Sequence, residues 1–294
     1  MIQYLYLGRV DYAEALRLQE ELVALRTEQR IGNTLLLPEH PPVLTLGRNA
    51  RRSNILASDE MLAARGVTLH EINRGGDVTY HGPGQLIGYP IFDLRSLRNE
   101  KGARLGPVDF VRLIEEALIR VCGEFGVAAG RICGLTGVWC GLPAENVGAA
   151  CVAAPKSTAL GRKIAAIGIH VARGVTSHGF AFNITTDLRD FGLINPCGIT
   201  DRPVTSLQRE VSDPTSLPGL ETIAHRAARQ FGRVFDEQVL AIDNLETLRV
   251  QARAAATPES SRDLAREFPA DDTPLQVPAE IDRLRNAKPR PISA

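Results

Sequence analysis

The apolar residues of this chain fall mostly into short runs of strand length, and this distribution constrains the fold more than any other feature. Such runs are predicted to be strands at 33–37, 43–46, 67–72, 87–94, 138–139, 163–172 and 179–184. Apolar residues recur at helical spacing in 12–27, 110–125 and 223–235, which are predicted to be helices. Because strands and helices do not alternate regularly, the sequence predicts a mixed α/β (α+β) fold, with a mixed β-sheet flanked by helices.

Two of the predicted helices carry end signals. Asp11, followed by Glu14, resembles a capping box at the start of the first helix. Gly126 stands directly after the apolar stripe of the second helix, in the place of a C′ glycine. These residues are predicted to fix where the helices begin and end.

The length and composition suit one large domain with an appendage. The chain has 294 residues, of which 44% are hydrophobic and 23% charged. Residues 1–235 are expected to form the principal domain, interrupted by a loop insertion at 141–161, where the residues are small and unpatterned. Residues 236–294 are expected to form a flexible C-terminal extension, because they are poor in aromatic residues and bury too little apolar surface. A short helix near 281–286 is the alternative within it.

Charge and cysteine usage favour a soluble cytoplasmic protein without a nucleic-acid or membrane partner. Lys plus Arg and Asp plus Glu each number 34, so the net charge indicates neither partner. The N-terminal residues lack a signal-peptide pattern, and no run approaches the roughly 20 apolar residues of a membrane helix. The five cysteines form no C-x-x-C pair, and their odd number favours reduced thiols. Their spacing gives little support to a metal site.

A glycine-rich segment at 74–85, with the sequence RGGDVTYHGPGQ, places polar side chains directly before an apolar strand. Glycine permits a ligand to approach the backbone closely, which favours a binding loop. A dinucleotide-binding fingerprint is excluded, because a strand-like run follows where a helix should begin. On composition alone, a tight structural turn remains the alternative.

Two further residues are candidates for chemistry. Lys163 begins an apolar strand, where burial would favour its neutral form, although a surface lysine is the alternative. Cys197 lies between a proline and a glycine on a constrained turn, and a buried spectator thiol is its alternative. A cationic neighbour would favour the reactive thiolate of Cys197, and His81, His178 and Lys163 are the candidates.

Together these motifs resemble the octanoyltransferase family of lipoate biosynthesis, the lipoyl(octanoyl) transferases. The resemblance covers roughly residues 1–235 and includes several motifs in the order of the family. They lie at 40–47, 74–85, 136–139, 163–168, 178–183, 195–199 and 205–207. The insertion at 141–161 and the long C-terminal extension depart from the compact pattern of the family.

The resemblance implies a fold like that of biotin and lipoate protein ligases and assigns roles by position. Cys197 would be the acyl-thioester nucleophile, and Lys163 would activate it and act as acid and base. His81 would assist by orienting the thioester, or would make a structural hydrogen bond. The residues implied to bind substrate are Arg74, Gly75, Gly76, Asp77, Val78, Thr79, Tyr80, His81, Ala166, Ile167, Gly168, Gly179, Phe180 and Ala181.

The resemblance also implies the reaction and its partners. Octanoyl would pass from octanoyl-acyl carrier protein to a lysine of a lipoyl domain, in 2-oxoacid dehydrogenase E2 subunits and in the glycine cleavage H protein. No cofactor is implied, because an amide forms from a thioester without ATP. Arg48, Arg51 and Arg52 are candidates for contact with the acidic carrier protein, or form an ordinary solvated loop.

Two other functions compete with this interpretation. An ATP-dependent lipoate or biotin ligase would share the fold and the strand lysine, but would not need Cys197. A non-catalytic lipoyl-domain or acyl-binding protein would bind the same partners without forming a covalent intermediate.

Overall fold

A large mixed sheet is the centre of the computed structural model, which describes residues 1–99, 102–143, 151, 161–195 and 202–256. The strands are β1 Ile2–Arg9, β2 Asn33–Glu39, β3 Val43–Leu46, β4 Thr68–Glu71, β5 Val78–His81, β6 Gln85–Ile91, β7 Ala129–Ile132, β8 Leu135–Cys140, β9 Arg162–Ala172, β10 Val175–Asn183 and β11 Val239–Ala241. Eight of these form the sheet in the order β11-β1-β2-β6-β10-β9-β8-β7. The pairs β11–β1 and β1–β2 are parallel and the other pairs are antiparallel, which confirms the predicted mixed sheet.

Helices cover both faces of this sheet. The helices of the described residues are α1 Tyr12–Thr27, α2 Asp59–Ala64, α3 Pro107–Glu124, α4 Leu207–Glu210, α5 Leu220–Phe235 and α6 Leu245–Ala255. Alternate residues of β2 point to opposite faces, with Leu35 in the apolar cluster of α3 and α5 and Leu36 in that of α1 and α6. Within the described ranges, no helix has the length and apolar character needed to cross a bilayer.

The predicted end signals of α1 and α3 are present. The Asp11 side chain accepts hydrogen bonds from the backbone N–H groups of Ala13 and Glu14, which caps α1. Gly126 has φ +72°, the left-handed conformation that favours glycine after a helix.

A second, three-stranded sheet in the order β4-β3-β5 lies beside the main one. β5 falls inside the glycine-rich segment that was expected to be a binding loop, so a third of that segment is extended and paired with β3. Tyr80 on β5 donates a 2.7 Å hydrogen bond to Asp190, and Arg65 donates one of 3.0 Å to the same carboxylate. These contacts attach the small sheet to the 3₁₀ segment Leu188–Leu193.

The packed structure continues past residue 235, where the sequence led us to expect a flexible extension. β11 adds to the free edge of β1, and α6 buries Leu248 and Ala252 against α1. Arg249 forms a 2.8 Å ion pair with Glu21 on α1. The packed part therefore reaches residue 256, and residues 257–294, with the helix proposed near 281–286, lie outside the described residues.

The cysteines differ from the expectation of reduced thiols. Cys133 in the β7–β8 turn is joined by a disulfide to Cys151, with their Cα atoms 5.2 Å apart, inside the range that a disulfide spans. The two cysteines are 18 residues apart in the sequence, so no short cysteine motif marks them as a pair. Cys122 and Cys140 are free and buried, and burial raises the pKa of the Cys140 thiol to about 12. Cys197 lies outside the described residues.

Candidate active site

A slot with a floor of small residues lies on the α1 face of the main sheet. Register places Ala166 and Ala181 side by side on β9 and β10, and Gly168 and Gly179 form the next pair of the same face. A Cβ on Gly168 would lie 2.7 Å from the carbonyl oxygen of Gly75. The absence of a side chain there lets the glycine-rich segment approach the sheet, so that the slot lies between them.

The slot is lined by residues from five parts of the chain: α1, the glycine-rich segment, β6, β9 and β10. The lining residues are Tyr12, Arg74, Gly75, Gly76, Thr79, His81, Ile87, Tyr89, Ala166, Ile167, Gly168, His178, Gly179, Phe180 and Ala181. Apolar surface predominates, interrupted by a few buried polar groups, as is typical of a site for an elongated apolar ligand.

The structure brings together all but three of the residues that the resemblance implied for substrate binding. Val78 and Tyr80 point away from the slot and pack in the small sheet, because side chains alternate along β5. The Asp77 carboxylate accepts hydrogen bonds from the backbone N–H groups of Arg51 and Val78. These three residues support the segment, whereas Thr79 and His81 line the slot.

The sequence analysis missed Tyr12, Ile87 and Tyr89 among the lining residues. Ile87 and Tyr89 are two residues apart on β6, so the period of a strand places both on one face. The Tyr89 hydroxyl donates a 2.7 Å hydrogen bond to Nε2 of His40, whose Nδ1 donates to the carbonyl of Val10 at 2.7 Å. These hydrogen bonds fix the position of the Tyr89 side chain in the slot wall.

Arg74 contributes a buried positive charge to the wall of the slot. Its Nη2 donates to the carbonyl oxygen and to Oγ1 of Thr45, at 2.7 and 2.9 Å. Its Nη1 donates to the Gly75 carbonyl at 3.0 Å. The guanidinium thus connects β3 to the glycine-rich segment and fixes the wall.

Two histidines in the wall are neutral at physiological pH. Burial, reinforced by repulsion from His40, lowers the pKa of His81 to about 3. Burial and the nearby Arg74 guanidinium lower the pKa of His178 to about 3. A neutral imidazole does not supply the positive charge that stabilises a thiolate, which favours Lys163 over these two histidines as the cationic neighbour expected for Cys197.

His81 and His178 are each oriented by an amide side chain. Nδ1 of His81 donates to Oε1 of Gln85 at 2.8 Å, and Gln85 donates in turn to Asn183 at 2.8 Å. Nε2 of His178 donates to Oδ1 of Asn73 at 2.7 Å. The hydrogen bond to Gln85 holds the His81 ring as a structural element of the slot wall.

Lys163 lies on the strand that forms part of the slot floor. Its backbone N–H donates to the carbonyl of Pro203 and its carbonyl accepts from Thr205, both at 2.9 Å. On the other side, Nζ lies 4.7 Å from the centroid of the Trp139 ring. Lys163 does not line the slot, but Ala166, three residues later on β9, does.

Cys197 lies outside the described residues, but described residues on both sides of it form backbone contacts. Asn195, two residues before it, donates a 2.7 Å backbone hydrogen bond to the carbonyl of Asn54. Val204, on its other side, forms a parallel bridge with Lys163. In the part of the chain that the structure describes, no three His, Cys, Asp or Glu side chains are grouped to hold a metal ion.

Comparison with known proteins agrees with this geometry. The model of the Lipoyl protein ligase A/B catalytic domain matches residues 11–231. The chain belongs to this family. It is 60% identical to the octanoyltransferase of Acidobacterium capsulatum, over 83% of this chain and 94% of that protein. It is 51% identical to the octanoyltransferase of Koribacter versatilis, over 97% of both. The resemblance to octanoyltransferases is thereby confirmed, and the chain is an acyltransferase.

Solved structures of lipoate-protein ligases share the fold. A lipoate-protein ligase A bound with ATP superimposes with a TM-score of 0.60 at 16% identity, covering 86% of this chain and 94% of that one. A bipartite lipoate protein ligase from Thermoplasma acidophilum gives a TM-score of 0.59 at 16% identity, covering 91% and 99%. At this identity the comparison establishes the fold alone, which is the ligase-like fold that the sequence predicted.

Proposed function

We propose that the chain transfers an octanoyl group from octanoyl-acyl carrier protein, through a thioester on Cys197, to a lysine of a lipoyl domain. The observation that carries the proposal is the apolar slot between the signature segment 74–81 and β9, the strand that also carries Lys163. The similarity to octanoyltransferases supports the nature of the acyl group. The slot would hold the acyl chain and present its carbonyl at the end near Lys163.

In the first half-reaction the Cys197 thiolate attacks the carbonyl carbon of the octanoyl thioester. A carbon–sulfur bond to Cys197 forms, and the carbon–sulfur bond to the thiol of the carrier protein breaks. Lys163, as an ammonium, stabilises the attacking thiolate and then gives its proton to the departing thiolate. Because His81 and His178 are neutral, Lys163 is the candidate that remains from the sequence analysis for this cation.

In the second half-reaction the amine of the acceptor lysine attacks the Cys197 thioester. A carbon–nitrogen bond forms, the carbon–sulfur bond to Cys197 breaks, and Lys163, neutral after the first step, takes the proton of the amine. The ammonium and the thiolate are both regenerated. No ATP is consumed, because conversion of a thioester into an amide is downhill.

We also propose the partners that the resemblance implied. The donor is octanoyl-acyl carrier protein, and the acceptors are lipoyl domains of 2-oxoacid dehydrogenase E2 subunits and the glycine cleavage H protein, in the cytoplasm. Arg48, exposed beside the slot, donates its backbone N–H to the carbonyl of Arg74 at 3.1 Å. With the exposed Arg51 and Arg52, it would contact an acidic carrier protein.

The experiment that tests the function compares two acyl sources with one acceptor. Apo lipoyl domain is incubated with the full chain and either octanoyl-acyl carrier protein without ATP, or free octanoate with ATP. We expect octanoylation of the domain only from the carrier protein, and loss of at least about a thousandfold in rate for Lys163→Ala. Transfer that requires ATP and octanoate would establish a ligase, the alternative consistent with the shared fold.

A further inference from the structure

The indole ring of Trp139 lies against Nζ of Lys163, and this contact has no role in the reaction steps proposed above. The two residues are paired across β8 and β9, next to a register shift between Val138 and Trp139. Nζ of Lys163 lies 4.7 Å from the centroid of the indole ring. An ammonium within about 6 Å of the centroid of a tryptophan ring is attracted by its π face.

The indole is held in place independently of Lys163. Trp139 is fully buried, but the three apolar clusters of the described residues do not include it. Its Nε1 donates a 3.1 Å hydrogen bond to the carbonyl of Leu135. The ring therefore has a fixed orientation in which its face meets the lysine.

Strand β8 approaches β9 closely at Gly137, two residues before the indole. Gly137 has φ +126°, and a Cβ there would lie 2.6 Å from the carbonyl oxygen of Ala165 and 3.4 Å, an ordinary contact distance, from Cε of Lys163. The Gly137 N–H donates a 2.9 Å hydrogen bond to the carboxylate of Glu115, a fully buried residue. Arg112 and Arg131 donate to that carboxylate at 2.6 and 3.1 Å. These charged hydrogen bonds hold the backbone of β8, the strand that pairs with β9 at Lys163.

We propose that Trp139 is a positioning residue for Lys163, whose ammonium form it stabilises through the indole face and whose Nζ it holds in one place. The inference rests on the proposed function, since it assigns the stabilised ammonium to the first half-reaction. The acylation of Cys197 needs that ammonium, whereas the transfer to the acceptor amine needs neutral Lys163. Weakening the attraction should therefore slow acylation and leave the transfer step no slower.

Trp139 is the only tryptophan of the chain, so labelling in a tryptophan auxotroph modifies this residue alone. Full-length protein is made with tryptophan, or with 5-fluoro-, 5,7-difluoro-, 5,6,7-trifluoro- or tetrafluorotryptophan. Each added fluorine withdraws electron density from the π face with little change of shape. We expect the rate of acylation by octanoyl-acyl carrier protein to fall stepwise, by about 2- to 30-fold over the whole series. Unchanged melting temperatures would show that the packing is retained.

Emission of the single tryptophan provides a second readout, which reports whether the charge of Lys163 lies over the ring. Lys163→Met removes the charge over the ring, so the emission maximum should shift, whereas Arg253→Met, an exposed residue on α6, should leave it unchanged. An acylation rate that does not change across the fluorinated series would overturn the role of Trp139 while leaving the proposed function intact. A series in which acylation and transfer slow equally would overturn the assignment to the ammonium form. Absence of any acyl-enzyme in the unlabelled protein would remove both proposals.

Discussion

His81 and His178 are buried in the slot wall, where the pKa of each is lowered to about 3. The unfolded chain, in which a histidine has a pKa near 6.5, binds protons below pH 6.5 that the folded chain does not bind. The contribution of these two histidines to the free energy of unfolding is therefore complete above pH 6.5 and decreases as the pH drops from 6.5 towards 3. Each histidine should contribute a slope of about 1.4 kcal/mol per pH unit within that window.

Urea unfolding between pH 6.5 and 5 measures this slope above the range where most carboxylates titrate. His178→Asn should reduce it by about 1.4 kcal/mol per pH unit, and Asn tolerates the φ of +55° found at this position. Equal slopes in the wild type and in His178→Asn would contradict the burial of a neutral His178.

Side chains that depend on local sequence were predictable, whereas those brought in by packing were not. The glycines and Arg74 identified the segment at the slot, because their types and spacing favour close backbone approach. Val78 and Tyr80 were included because the resemblance implied the whole range 74–81 by position, and the alternation along β5 turns both side chains away from the slot. Tyr12 reaches the slot from α1, a placement that only the tertiary structure determines.

At the scale of elements, we expect β9 and β10 to determine how long an acyl chain the slot accepts. Ala181 is buried on the slot floor beside Ala166 and Ile87. Ala181→Val should occupy space that about two methylene groups of octanoyl would fill, each worth about 0.8 kcal/mol. We expect the preference for octanoyl over hexanoyl, measured as the ratio of kcat/KM values, to fall about tenfold.

The control for this prediction is the same substitution elsewhere on the floor strands. Ala172→Val adds equal bulk at the end of β9, outside the slot, and should leave the preference unchanged. No change of preference in Ala181→Val would show that these strands do not set the chain length. An equal change in Ala172→Val would show that the effect does not arise at the slot floor.

Elements with a strong period were predicted from the sequence, and weak or very short ones were not. α1 and α3 carry apolar residues at helical spacing together with end signals, and both lie where expected. β11 has three residues, too few to show a period, and exists because β1 offers a free edge. α6 has only Leu248 and Ala252 buried, so its sequence resembles that of an unpacked segment.

At the scale of the whole molecule, these late elements extend the folded body. A chain ending at residue 235 would lose β11, α6 and the burial of Ile242 and Leu248, and a chain ending at 256 would keep them. As an upper estimate, burial of these two side chains contributes about 3 kcal/mol to the free energy of unfolding. The shorter chain should unfold at correspondingly lower urea concentration than the longer one. Equal midpoints would show that the body ends at residue 235.

The covalent intermediate that we propose would connect the slot, Lys163 and Cys197 in one reaction, and intact-protein mass spectrometry tests it most directly. The full chain is mixed with octanoyl-acyl carrier protein and no acceptor. The account predicts one added octanoyl group that hydroxylamine removes, present in Cys140→Ala, which lacks a different free thiol, and absent in Cys197→Ala. Transfer to a lipoyl domain without any such adduct in the wild type, or an adduct that persists in Cys197→Ala, would contradict it.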